Sequence, residues 1–150
     1  MAPLPDIVAP DADLPVGHQI NGYRIAAVLA RGPWSTTYLA TTLASGAKVI
    51  LKEYRPRGLP QRAGEDEPAI ASPTAEHAAA FAAGLARFRE EAALLDQVRH
   101  PGIIRLISSF EANGTAYMIT AHVEGQTLAS RLAEESGPLD EATLRDVLSA

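Results

Sequence analysis

Two residues of opposite charge stand out for the chemistry they could do together. Lys52 lies in the run Ala47-Lys48-Val49-Ile50-Leu51-Lys52-Glu53-Tyr54, which reads as a short buried strand ended by the breakers Pro56 and Gly58. Glu91 lies in a helical stretch, three residues after Phe88 and four before Leu95, and so falls on its apolar face. A carboxylate facing a core needs a cation, and a lysine leaving a central strand needs an anion. The pattern predicts that Lys52 and Glu91 are partners. Two plainer readings compete: Lys52 snorkelling at a strand end, and Glu91 pairing with Arg87 or Arg89 on its own helix. The place of Glu91 on the apolar stripe argues against the second.

Other chemistries have less behind them. His18, His77, His100 and His122 show no metal-ligand spacing, so no metal site is expected. The absence of cysteine excludes disulfides and thiolate metal sites. No serine–histidine–aspartate context supports a hydrolase.

The elements that must position the pair follow in order. Residues 1–19, with Pro3, Pro5, Pro10 and Pro15 and three aspartates, read as a disordered leader. Order is expected from Ile20, with a turn at Asn21-Gly22, a strand over 23–29, a reversal at Arg31–Ser35 and a second strand over 36–41. Ala44-Ser45-Gly46 then turns the chain into the lysine strand. Residues 55–73, with four prolines and the acidic cluster 65–67, read as a long solvated surface insertion. A helix follows, with Thr74 as N-cap and a buried stripe of Phe81, Leu85, Phe88, Ala92, Leu95 and Val98. Gly84 inside it is expected to fray or bend the amino-terminal half. Strands over 103–110 and 115–120 flank the hairpin turn Asn113-Gly114. A connector, a short helix over 128–135 and a helix opened by Asp140 close the chain, the last with an exposed Leu144, Val147 and Leu148 stripe.

Composition sets the outer limits. The 150 residues are 47% hydrophobic, enough for a real core. A formal net charge of −5, with no basic patch, argues against a nucleic-acid partner. No apolar run approaches the roughly 20 residues that span a bilayer, and no secretory signal is visible, so the expected location is cytoplasmic.

Taken together, these motifs resemble the small, amino-terminal lobe of a bacterial-type serine/threonine protein kinase. Leu29-Ala30-Arg31-Gly32-Pro33-Trp34-Ser35-Thr36-Thr37-Tyr38 falls where that family has G-x-G-x-x-G-x-V, and Val49-Ile50-Leu51-Lys52 matches V-A-I-K. Glu91 precedes His100-Pro101-Gly102-Ile103-Ile104, which is similar to the H-P-N-I-V turn, and Tyr117–Thr120 resembles the strand before the hinge. The implied fold is α+β: a five-stranded antiparallel sheet with one main helix over 20–123, insertion 55–73 included. Residues 124–150 would be the hinge exit and the first helices leading to a large lobe that is not in this chain.

The resemblance also implies a role for each residue. Lys52 would contact the α/β-phosphates of ATP, with Glu91 holding it and the Arg31–Thr36 loop covering the phosphates. Leu29, Ala30, Thr37 and Ile50 would wall the nucleotide, Thr120 would be the gatekeeper, and the backbone at Ala121 and Val123 would meet adenine. Magnesium would come with the nucleotide, its ligands supplied by the missing lobe. No H-R-D or D-F-G is present, so the chain alone is not expected to transfer phosphate. Ala30 and Ser35 in place of glycines, and Ile50 in place of alanine, imply weaker nucleotide binding. Two alternatives remain beside a kinase lobe: a pseudokinase with weak or no nucleotide affinity, and a non-enzymatic domain whose sheet and helix dock a protein partner.

Overall fold

The computed structural model describes residues 12–58, 62–64, 67–135 and 137–149. Its centre is an antiparallel sheet of six strands in the order β1-β2-β3-β4-β8-β7. The strands are β1 (Gln19–Ile20), β2 (Tyr23–Arg31), β3 (Ser35–Thr42), β4 (Lys48–Tyr54), β7 (Leu106–Ala112) and β8 (Thr115–Ala121). Five of them are the expected ones. The sixth, β1, exists because Asn21 (φ 47°) and Gly22 (φ 88°) form a left-handed two-residue turn that folds residues 19–20 back onto Tyr23 and Arg24. Asn113 (φ 55°) and Gly114 (φ 74°) make the same turn between β7 and β8.

Alternation along β4 divides the molecule. Val49, Leu51 and Glu53 face one side, with Tyr38, Ile25 and Ile119, and Leu14 and Ile20 close over them. Ile50, Lys52 and Tyr54 face the other side, where helix α1 (Ala78–Gln97) packs through Phe81, Phe88 and Ala92 against Tyr54, Ala116 and Met118.

Two expectations about the outer face are corrected here. The leader does not extend to residue 19. Residues 1–11 lie outside the described residues, but Leu14 is 1% exposed and its amide donates to Tyr38 Oη at 3.1 Å. The sheet's outer face is apolar at its centre, and this segment covers it. The insertion 55–73 is not merely solvated either. It contains a hairpin of β5 (Arg62–Gly64) and β6 (Glu67–Ile70), and it buries Arg55, Arg62 and Ile70. Residues 65–66 of its acidic cluster lie outside the described residues.

Helix α1 runs from Ala78 to Gln97 without interruption at Gly84. Instead, a Cβ at Gly84 would come within 2.1 Å of Tyr54 Oη: the glycine makes room for a buried ring. Thr74 sits three residues before the helix cap His77, bonded to its ring (Thr74 Oγ1 to His77 Nδ1, 3.1 Å). Strand β7 begins at Leu106, and Ile103 and Ile104 stay exposed in the preceding turn. Beyond β8, helices α2 (Leu128–Glu134) and α3 (Glu141–Leu148) match their expected positions, each with its N-cap hydroxyl or carboxylate bonded to the backbone: Thr127 to Ser130 and Asp140 to Thr143. Leu144, Val147 and Leu148 of α3 are exposed.

Candidate functional site

Lys52 is fixed by its place in the middle of the sheet, opposite Thr37 on β3 and Met118 on β8. Strand alternation sends its side chain to the helix side. There its Nζ passes 5.8 Å from the centre of the Phe88 ring and reaches Glu91 Oε1 at 3.3 Å. Glu91 is one turn beyond Phe88 on α1, so the same apolar stripe that docks the helix sets the carboxylate at the edge of the core. Both groups remain partly solvated, the lysine side chain 34% exposed and the glutamate 51%. A pair this wet contributes about 0.2–1 kcal/mol to stability. Its consequence is geometric: the ammonium is held at one point with two of its three hydrogens left for another acceptor.

The loop over this point is a tight reversal. Ala30 pairs with Thr37 and Arg31 with Thr36, and the Gly32 amide donates to the Ser35 carbonyl at 2.8 Å. Added carbon at Gly32 would stand 3.3 Å from that carbonyl, so the turn is already close. The continuation of β4 holds the loop from below, with Arg55 N donating to Trp34 O and Arg57 N to Pro33 O, both at 2.9 Å. Between loop and helix lies a cleft of about 350 Å³, lined by Pro33, Trp34, Ser35, Lys52, Tyr54, Gly84, Arg87, Phe88 and Glu91. Arg87, one turn before Glu91, gives this cleft a second cation.

The remaining expected residues form a second group, beside the cleft and not in it. The register aligns Ala30, Thr37 and Lys52 across one row of the sheet, and Leu39, Ile50 and Thr120 across the next row on the same face. Ala121 closes β8; its amide donates to Arg105 O at 3.0 Å, so a ligand can use only its carbonyl. Val123 follows, 70% exposed. Leu29 departs from the rest: it falls in a register shift between Val28 and Ala30 and is exposed. Ala30 and Ser35, which stand where the family loop has glycines, both lie outside the positive-φ region. Among the described residues only Asn21 and Asn113 combine a side chain with a positive φ, so neither loop residue needs glycine's freedom.

Glu53 and Arg62 are the functional-looking residues that sequence reasoning missed. Glu53 is fully buried on the outer face, paired with the equally buried Arg62 and accepting from Tyr38 Oη (2.9 Å) and Tyr117 Oη (3.0 Å). Burial and the neighbouring Glu53 carboxylate push both phenols well above their ordinary range, which keeps them as donors. The signal was available: Val49, Leu51 and Glu53 share one face by the period of two.

No family profile matches the chain. Individual relatives do. The serine/threonine-protein kinase PknA of Nostoc sp. (strain PCC 7120) is 30% identical over 132 residues, which are 85% of this chain and 20% of that protein. The probable serine/threonine-protein kinase YbdM of Bacillus subtilis is 24% identical over 127 residues, 85% of this chain and 42% of that protein. Among solved structures, the apo form of PpkA-294 superposes with a TM-score of 0.82 at 33% identity, over 89% of this chain and 47% of that one. The chain thus spans less than half the length of each.

Proposed function

Because this chain is a small lobe of the bacterial-type serine/threonine protein kinase family, we propose that it holds ATP, and that the whole protein transfers a phosphoryl group to serine or threonine of a protein. The observation that carries this reading is the 3.3 Å Lys52–Glu91 contact at the floor of a cleft roofed by the 31–35 loop. A fixed ammonium with free hydrogens suits the α/β-phosphates, and the carboxylate keeps it from folding away. Pro33 has no amide hydrogen and Gly32 gives its own to Ser35, so neither of these two residues offers a free amide to the phosphates. Adenine would lie under the row of Ile50 and Thr120, with the Ala121 carbonyl and Val123 backbone at its edge.

Magnesium bound with the nucleotide supplies counter-charge to the phosphates. By the family resemblance, its protein ligands would come from the large lobe.

The test is calorimetric titration of ATP into the full-length protein and its Lys52→Met variant. The loss of one charge-assisted contact should weaken binding by roughly tenfold or more. Equal affinity in both would remove Lys52 from the site. The second reading, a pseudokinase or scaffold acting through protein contacts, is favoured by Ile50, whose bulk narrows the adenine row. Absence of any ATP heat in the full-length protein would select it.

A further inference from the structure

The buried charges of the outer face do not end there; they run to the nucleotide loop. Asp13 uses both carboxylate oxygens. Oδ1 accepts from Arg55 Nη1 at 3.1 Å, and Oδ2 accepts from Arg31 Nε at 2.8 Å and from Arg31 Nη2. Arg55 is 3% exposed as a side chain and lies 3.8 Å from Glu53 Oε2. Cations and anions therefore alternate from the core to the loop: Arg62, Glu53, Arg55, Asp13, Arg31.

Asp13 itself cannot drift. The next residue, Leu14, is buried and bonded to Tyr38 Oη, and the preceding carbonyl, Ala12 O, accepts from Arg62 Nη1 at 3.0 Å. On the far side, Arg31 is the last residue of β2 before the loop, and its carbonyl accepts from Arg57 Nη2 at 3.0 Å. The backbone of Arg55 and Arg57 already holds Trp34 and Pro33. Asp13 thus joins the two stems of the loop, β2 through Arg31 and the β4 extension through Arg55, from a segment that belongs to neither.

We propose that Asp13 is a positioning residue for the 31–35 loop, through which the amino-terminal segment sets how far the loop stands from Lys52. The effect on nucleotide rests on the ATP-binding reading above; the effect on the loop does not. Removing the pair should let the loop lift from the cleft while the sheet and α1 stay in place.

Trp34 reports this directly, since it is the only tryptophan of the chain, sits in the loop and is 65% exposed. In the 150-residue chain, acrylamide quenching and anisotropy of Trp34 are measured without nucleotide for wild type, Asp13→Asn, Arg31→Gln and the double variant, well below the melting temperature. The expectation is higher quenching and lower anisotropy in each single variant, with the double no further changed than Asp13→Asn alone, because that variant already loses the Arg31 contact. Asp13→Glu should restore most of the signal. In the full-length protein, ATP affinity should fall roughly two- to fivefold in both singles, the range of a solvated ion pair. Arg31→Gln keeps the Asp13–Arg55 pair and so tests the idea even if Asp13→Asn fails to fold. Unchanged Trp34 signals in Arg31→Gln, or additive effects in the double variant, overturn the proposal. Changed Trp34 signals in a protein that shows no ATP binding at all uphold the positioning role of Asp13 and reject the nucleotide reading.

Discussion

Replacing Gly84 by alanine sets helix propensity against packing, and the two terms have opposite signs. At an exposed helical position the change would stabilise by about 1 kcal/mol. Here the new Cβ would meet Tyr54 Oη at 2.1 Å, Cζ at 2.9 Å and Cε2 at 3.2 Å. The ring has little room to retreat. It is 2% exposed, its hydroxyl donates to Phe81 O at 3.0 Å, and it lies between Phe81 and Phe88 with centroids 5.2 and 5.8 Å away. Relief requires either the ring to swing, losing a hydrogen bond of about 1 kcal/mol, or α1 to move outward. Overpacking of this kind costs about 1–3 kcal/mol. Adding these and subtracting the propensity gain leaves a net loss of roughly 1–3 kcal/mol. Urea unfolding at 25 °C measures it, with Tyr54→Phe and the double variant completing a cycle. The double should be less destabilised than the sum of the singles, since one of the colliding atoms is gone. Because α1 carries Glu91, outward movement would also lengthen the Lys52 contact, so ATP affinity in the full-length protein should fall with stability. A Gly84→Ala protein more stable than wild type would refute the packing argument.

Other outcomes follow from the same contacts. Glu53→Ala leaves the Arg62 guanidinium buried without its carboxylate and should cost about 3–5 kcal/mol in denaturant unfolding, whereas replacing the pair together (Glu53→Leu with Arg62→Met) should cost less, the remainder coming from the Tyr38 and Tyr117 hydroxyls left without their acceptor. Burial and the nearby Arg62 hold the His18 imidazole below its ordinary value of 6.5. The unfolded chain then binds the proton more readily, so stability is full above about pH 6.5 and falls as the pH drops below it; His18→Gln should flatten that part of the stability profile, and an identical slope would rule out His18 as its source. Ser35→Gly should lower the melting temperature, by the equivalent of about 0.5–1 kcal/mol, because Ser35 is an ordinary strand residue with no strain for glycine to relieve.

Much of this architecture was written in local pattern. Short apolar and β-branched runs between turn signals set the five long strands, and the Asn113-Gly114 dipeptide set the hairpin, because left-handed turns select those residues on their own. Steps of three and four set the face of α1, and with it the prediction that Glu91 would stand near Lys52, a contact the structure holds at 3.3 Å. These features depend on neighbours within a few positions along the chain. What only the tertiary structure decided is what covers the outer face of the sheet. The proline-rich segment around Leu14 read as disordered and the insertion around Arg62 as a solvated surface loop, because each is short of periodicity and punctuated by breakers. Each is folded by partners outside its own segment: Tyr38 and Arg31 for one, Glu53 and Asn113 for the other. The same holds for Gly84, a weakness in the helix by propensity and a fitted gap once Tyr54 lies against it. Propensity is summed along the chain, while burial of a charge or a ring is settled by residues in other elements, and that term is the larger.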